Sequence, residues 1–207
     1  MYLFSRRRRA APGQIPEAMG WAVETAAKAS QIAGLPVTAW SSMWGADAGT
    51  ITWTVFAIDL VGIEQAGDKL ATDAGFSDRV REAETLFSGP VEDQLAQVLH
   101  GAPQDAPSEY VSVVTAELAP GAFRTGVEAA IEIASAADRI TGRPTMVSMA
   151  MTGRYGGIAW LTGHPDVAAL DAAQNATNAD GAFVALVDRV STYYQPDAVQ
   201  AIYRRLI

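Results

Sequence analysis

The chain has 207 residues, of which 49% are hydrophobic and 18% charged, so it can bury a substantial core. Its formal net charge of −8 argues against nucleic acid as a partner, because binding to a phosphate backbone needs clustered cations. Cysteine is absent, which excludes disulfides, thiolate nucleophiles and cysteine-bound zinc or iron–sulfur clusters.

An arginine run, Arg6 to Arg9, lies close to the start of the chain. A secretory signal would continue with an apolar segment, whereas Pro12, Gly13 and Glu17 follow here. No stretch of the sequence approaches the roughly 18 apolar residues of a membrane-spanning helix. We therefore predict a cytoplasmic protein without a membrane span. The arginines are expected to end a first strand and to pair with carboxylates, with docking to an acidic partner as the alternative.

The chain contains an internal repeat. Residues 10–36 and 118–144 align at an offset of 108, and each segment has Ala-Pro-Gly near its start and Gly-x-Pro at its end. Between these marks, apolar residues recur at helical spacing, which predicts one amphipathic helix in each copy. The duplication predicts a first unit at residues 1–100, a polar, proline-containing linker at 101–109 and a second unit at 110–207.

Both copies are predicted to contain the same elements in chain order. In the first copy a strand at 2–7 precedes the long helix, which ends at Gly34, and later come strands at 37–44 and 51–58, a helical region at 63–87 and a strand at 91–100. The second copy repeats this order, with its long helix ending at Gly142 and its second helical region at 167–194. The order β-α-β-β-α-β is that of a ferredoxin-like unit, so the predicted fold class is α+β with two such units in tandem.

Both faces of the predicted strand pair at 37–44 and 51–58 are apolar. One face carries Ala39 and Trp53, and the other carries Trp40. The helices of a ferredoxin-like unit cover only one face of its sheet, so the other face needs a second cover. We expect the second copy to supply it, which would form an intramolecular α+β barrel with the helices outside.

These features resemble the dimeric α+β barrel superfamily, especially its NIPSNAP-like and antibiotic-biosynthesis-monooxygenase-like branches. The resemblance lies in the Ala-Pro-Gly turn after a short strand, Trp40, the turn glycines Gly45 and Gly49, and Trp53 on the return strand. It implies βαββαβ units that pair sheet to sheet, usually in a homodimer. Members of the superfamily include cofactor-free monooxygenases, isomerases, dehalogenases, haem-binding enzymes and proteins without known activity, so the fold does not fix a function.

A ligand pocket is predicted in the second copy. Three tryptophans of the first copy have small counterparts there, since Trp21, Trp40 and Trp44 correspond to Ala129, Ser148 and Thr152. Because protein interiors are closely packed, the missing indole volume must be filled by something. A bound ligand is one possibility, and other side chains or helices that move inward are the other.

Tyr155 and His164 are the candidate catalytic residues, because a histidine at the end of a strand can act as a general base or orient a phenol. The alternative for His164 is a structural role at the end of that strand. The candidate ligand-binding residues supply an apolar lining and one polar contact: Met146, Met149, Met151, Trp160 and Asn175. Haem is not expected, because the haem-binding branches use a histidine on a helix or at a defined strand site, and neither long predicted helix contains one.

Two functions are therefore predicted. The first is a barrel that binds a small apolar or aromatic molecule, with oxidation or isomerisation of that molecule without a bound cofactor as its enzymatic form. The alternative is a non-catalytic interaction or assembly component. No cofactor is predicted, and no metal site, because no histidine and carboxylate group has the spacing of metal ligands. The duplication can satisfy the sheet-to-sheet pairing of the superfamily within one chain. We therefore expect either a monomer, which is a pseudo-dimer of its two copies, or a higher homo-oligomer.

Overall fold

The computed structural model describes residues 1–45, 47–103 and 108–206, so residues 104–107 of the predicted linker lie outside it. Within these ranges the chain forms eight strands and six α-helices. The first copy comprises β1 (Tyr2–Ala10), α1 (Ile15–Ala33), β2 (Val37–Met43), β3 (Thr50–Ala57), α2 (Leu60–Thr72), α3 (Ala74–Glu82) and β4 (Phe87–His100). The second comprises β5 (Tyr110–Glu117), α4 (Phe123–Thr141), β6 (Thr145–Ala150), β7 (Gly157–His164), α5 (Val167–Ala179), α6 (Gly181–Val190) and β8 (Val199–Arg205), with a single 3₁₀ turn at Ser191–Tyr193.

The strand order is the same in the two copies. It is β4-β1-β3-β2 in the first and β8-β5-β7-β6 in the second, and the eight strands form a closed barrel. The registers agree as well, because Arg6 of β1 lies opposite Trp53 of β3, and Val114 of β5 lies opposite Trp160 of β7. The predicted fold class, an α+β protein of tandem ferredoxin-like units in an intramolecular barrel, is therefore confirmed.

The contacts of the chain group it into two units. The first contains Met1–Leu95 with Arg204–Ile207, and the second contains Ala96–Tyr203. The strand β4 thus contributes to both units, and its last residues pair with β6 in the second, where Ala96 lies opposite Ala150. The predicted domain boundaries, with a linker at 101–109, stay a prediction.

The arginine run lies in β1 and pairs with carboxylates of β4. The Nε and Nη2 atoms of Arg6 each donate a hydrogen bond of 2.7 Å to the carboxylate of Asp93. The Nε atom of Arg7 donates to Glu92 at 2.6 Å. Exposed ion pairs of this kind stabilise a fold by no more than about 1 kcal/mol each. Arg8 does not share this environment, because its Nε atom is buried and has no hydrogen-bond partner among the described residues.

The long helices end at the predicted glycines. Gly34 and Gly142 adopt left-handed φ angles of 75° and 67°, and their N–H groups donate to the carbonyls of Ser30 and Asp138. Glycine pays no Cβ penalty in this conformation, which explains why each helix stops there.

The second helical region of each copy differs from the prediction, because each consists of two helices. The break falls at Asp73 in the first copy and at Asp180 in the second. The Asp73 carboxylate accepts a hydrogen bond of 2.7 Å from the N–H of Phe76, and the Asp180 carboxylate accepts one of 2.8 Å from that of Phe183. Each aspartate therefore caps the N-terminus of a new helix. Its carboxylate accepts from a backbone N–H that has no acceptor within the helix, whereas in a continuous helix that N–H would already be bonded.

Two glycines in the long helices provide a matched test of how tightly each helix packs against its surroundings. A Cβ atom at Gly20 of α1 would meet no atom within 4 Å, whereas one at Gly126 of α4 would overlap Cδ2 of the buried Leu118. We expect Gly20→Ala to raise the free energy of unfolding by about 0.5–1 kcal/mol, because alanine favours the helix. Gly126→Ala should lower the free energy of unfolding by about 1 kcal/mol, because the clash with Leu118 outweighs the higher helix propensity of alanine. Equal shifts in urea unfolding would contradict this packing.

Candidate functional site

A buried histidine, paired with a serine, lies at the end of β7 in the second unit. His164, the last residue of β7, is 2% exposed, and its Nε2 atom lies 3.1 Å from the Oγ atom of Ser112 in β5. Side chains alternate along a strand, so His164 shares a face with Trp160, whose Nε1 atom donates to the Ala130 carbonyl of α4 at 2.9 Å. His164 therefore faces the helices. Its Nδ1 atom is buried and has no hydrogen-bond partner in the described part of the chain.

The surroundings of His164 keep its ring neutral. Burial and, to a smaller extent, the positive charge of Arg143 together lower its pKa from 6.5 to about 4. A neutral imidazole has one nitrogen that donates and one that accepts. The Ser112 hydroxyl can donate to Nε2 or accept from it, so this contact does not fix the tautomer, and Nδ1 can be either an acceptor or a donor. A buried polar atom left without a partner costs about 1–3 kcal/mol.

A cleft of about 260 Å³ lies in the same unit, between the end of α4 and helix α5. Its wall is formed by Ile140, Thr141, Arg143, Ala169, Ala172, Ala173 and Ala176. Arg143 connects the cleft to the histidine, because it lines the cleft and its charge acts on His164. His164 itself is not among the lining residues.

The three polar residues of this site have apolar counterparts in the first copy. Ser112, His164 and Arg143 align with Phe4, Ala57 and Leu35 in the repeat. The alignment holds in the structure, since Tyr2 lies opposite Ala57 just as Tyr110 lies opposite His164. The sequence pattern indicates His164 as a candidate but does not indicate Ser112 or Arg143. The signal that could have found them was this joint exchange of apolar residues for polar ones.

The two candidate catalytic residues are not brought together. Tyr155 lies in the turn before β7, is 88% exposed and stacks on Phe123 with 6.0 Å between ring centroids. His164 is at the other end of the same strand, which spans roughly 23 Å from Gly157 at about 3.3 Å per residue. A single small ligand cannot contact both side chains in this conformation.

The predicted ligand-binding residues lie on different surfaces. Met149 shares the helix-facing side of the sheet with Trp160, whereas Met146 points to the opposite side. Met151 and Asn175 are exposed. None of the five lines either of the two clefts described in the structure. Their role in binding stays a prediction.

The space next to Ala129, where the first copy has Trp21, is filled by other side chains. Ala129 packs with Leu186 and with the partly buried Phe183 and Tyr194. The Tyr194 hydroxyl donates a hydrogen bond of 2.7 Å to the Gly126 carbonyl, and burial raises its pKa above the usual range. At this position the second copy compensates for the smaller residue by packing.

No metal-binding cluster of three or more histidine and acidic side chains occurs in ranges 1–45, 47–103 and 108–206. The helices formed by these residues include none that is long and apolar enough to span a membrane.

Structural comparison finds proteins of the same fold at low sequence identity. A protein from Fusobacterium nucleatum named as a candidate monooxygenase superposes with a TM-score of 0.75 at 9% identity, over 100% of this chain and 92% of its own. One from Lactobacillus acidophilus, also named as a candidate monooxygenase, gives 0.69 at 8% identity over 100% and 94%. An anthrone oxidase-like protein gives 0.67 at 11% identity over 99% and 90%.

No family model matches the sequence, and no curated protein gives a significant match. The structural likeness therefore shows the fold alone. It extends over essentially the whole chain in each of these comparisons, including both copies of the repeat. The fold expected from the sequence resemblance is confirmed: the chain has a duplicated α+β barrel fold, which these proteins share.

Proposed function

We propose that the second unit binds a small apolar or aromatic molecule that carries one hydrogen-bonding group, such as a hydroxyl. The observation that carries this proposal is the buried, neutral ring of His164, whose Nδ1 atom has no partner among the described residues. The cleft in the same unit supports it, because alanine side chains line most of its wall and leave room for a flat, apolar body. Its volume is just below the usual range of ligand pockets, which favours a small ligand.

The low pKa of His164 favours a binding role over the removal of a proton. A base that is half protonated near pH 4 is a weak proton acceptor at neutral pH, where an efficient general base has a pKa close to the working pH. Oxidation or isomerisation of the ligand without a bound cofactor is the enzymatic form of the proposal. The candidate monooxygenases with the same fold support it only by analogy.

The alternative function, an assembly component, has support elsewhere in the chain. Ile58 is 88% exposed, and the nearby Leu60 and Val61 are exposed at the start of α2. Such a patch is typical of a docking surface. These side chains do not specify a class of partner, whereas the His164 site specifies the chemistry of its ligand. Small-molecule binding is therefore the function proposed.

The test is a titration with phenol, followed by NMR of the histidine ring nitrogens. We expect saturable shifts of the His164 resonances, because the phenol hydroxyl can hydrogen-bond Nδ1. Toluene, which has the ring but no hydroxyl, should bind up to about tenfold more weakly, the value of one neutral hydrogen bond. His100→Gln assigns the spectrum, since it leaves His164 as the single histidine.

Two substitutions in α5 locate the binding site. Ala173→Leu should fill the cleft and abolish the phenol-dependent shifts, because Ala173 is part of its wall. Ala179→Leu makes the same change on the exposed last residue of the helix and should leave them intact. If Ala173→Leu binds phenol as well as the unmodified protein, or if phenol leaves the His164 signals unmoved, the proposal is wrong.

A further inference from the structure

The first unit contains a second, larger cleft, which has no role in the function proposed above. It has a volume of about 510 Å³, within the usual range of ligand pockets. The cleft lies where α1 ends and β2 begins, and Arg205 of β8 completes it. Its wall is formed by Ala27, Ser30, Gly34, Leu35, Pro36, Val37, Thr38 and Arg205. These residues all belong to the first unit.

Arg205 is the charged residue in this wall, and none of the described residues that line it is acidic. The Nε atom of Arg205 is buried and makes no hydrogen bond to any residue that the structure describes. A buried donor without an acceptor is costly, and more so when it belongs to a charged group. The guanidinium therefore lines the cleft with its Nε atom still without an acceptor, and its planar fork matches the two oxygens of a carboxylate.

Two other polar groups at or near the cleft are already engaged in hydrogen bonds. The Ser30 hydroxyl donates to the Ala26 carbonyl at 2.8 Å and accepts from the N–H of Val37 at 2.9 Å. The Ala33 carbonyl, at the negative end of the α1 dipole, accepts from Lys69 Nζ at 3.3 Å. Lys69 thus offsets the partial negative charge that would otherwise repel an anion here.

The position in the second unit that corresponds to Ser30 carries a negative charge. Asp138 aligns with Ser30, and its carboxylate accepts a hydrogen bond of 2.6 Å from the N–H of Thr145, just as Ser30 does from Val37. A carboxylate at that position would repel an anion. The first unit has a neutral hydroxyl there, which does not repel a negatively charged ligand.

From these observations we infer that the cleft at the end of α1 binds a small organic carboxylate, with its carboxylate on Arg205 and its apolar body against Leu35, Pro36 and Val37. The aliphatic part of the wall supplies the surface for the apolar body. The charge on Arg205 selects an anion over a neutral molecule of the same shape.

The experiment compares benzoate with benzamide by isothermal titration calorimetry. Benzamide is a neutral molecule of nearly the same shape, so we expect it to bind at least tenfold more weakly, as is typical when a charge-assisted hydrogen bond is lost. Arg205→Gln should weaken benzoate binding at least tenfold. Arg204→Gln removes one positive charge at the adjacent, exposed position and should change the affinity less than twofold.

A second variant keeps the test valid if Arg205→Gln does not fold. Ala27→Leu leaves Arg205 in place and fills the cleft from the exposed side of α1, so it should also weaken benzoate binding at least tenfold. Thermal unfolding verifies that each variant is folded. Equal affinities for benzoate and benzamide, or full binding by Ala27→Leu, would overturn the inference. So would loss of benzoate binding in Arg143→Met together with its retention in Arg205→Gln, because the anion would then bind in the second unit.

Discussion

Replacing Trp53 with alanine is expected to lower the free energy of unfolding by about 3–5 kcal/mol, the usual cost of removing a buried tryptophan. Trp53 is the central ring of the first unit, with edge contacts to Trp21 and Phe87 at centroid distances of 6.0 Å and 5.9 Å. Its Nε1 atom donates to the Ala22 carbonyl at 3.2 Å. The substitution removes both ring contacts, leaves a cavity beneath α1 and deprives that carbonyl of a donor.

Trp44 provides the matched control in the same copy. Its side chain is 61% exposed, and its backbone has a φ of 39° in the left-handed region, which is unfavourable for any residue with a Cβ. Trp44→Ala should therefore change the free energy of unfolding by no more than about 0.5 kcal/mol. Urea denaturation followed by circular dichroism measures both variants. If the two lose the same stability, Trp53 does not hold α1 against the sheet.

Acidification should destabilise the protein through His164. Its pKa is about 4 in the folded protein and near 6.5 in the unfolded chain. The unfolded chain therefore binds the extra proton first, so the contribution of His164 is fully present above pH 6.5 and is lost as the pH falls towards 4. The difference corresponds to roughly 3 kcal/mol. The cause is mainly burial of the ring, to which the charge of Arg143 adds.

A variant without an ionisable side chain at position 164 separates the effect of His164 on stability from that of the carboxylates. His164→Gln keeps a polar side chain for Ser112 but cannot gain a proton, so its stability should fall less steeply between pH 6.5 and 4 than that of the unmodified protein. His100→Gln, which retains His164, should keep the full slope. Urea unfolding midpoints at pH 7, 5.5 and 4.5 provide the comparison. Identical slopes in the unmodified protein and His164→Gln would show that the ring is not buried in its neutral form.

The order of elements could be predicted because local signals mark it. Gly34 and Gly142 end the long helices in the conformation that only glycine adopts at little cost, and the repeat predicts each element of the fold twice. The break between α2 and α3 was missed because Asp73 also suits the exposed face of one continuous helix. Its action as a cap depends on the backbone donor of Phe76, which becomes available only where a helix starts.

The candidate site was harder to predict, because strand pairing decides which side chains meet. His164 and Tyr155 are nine residues apart in the sequence, yet an extended strand separates them. Ser112 is 52 residues from His164 and lies beside it, since β5 and β7 pair in one particular register. One residue of slip would move Ser112 to the other face of the sheet. That register is set by the packing of the whole sheet and not by any local motif.

The tandem repeat affects how corresponding positions of the two copies can diverge. In a homodimer, one gene encodes both subunits, so each substitution appears at two symmetry-related places. Here the corresponding places are encoded separately, and mutation can alter one without the other. Asp138 stands where the first copy has Ser30, and His164 stands where it has Ala57. Because the two copies are parts of one chain, one copy can acquire a new role while the other keeps the residues that stabilise the fold.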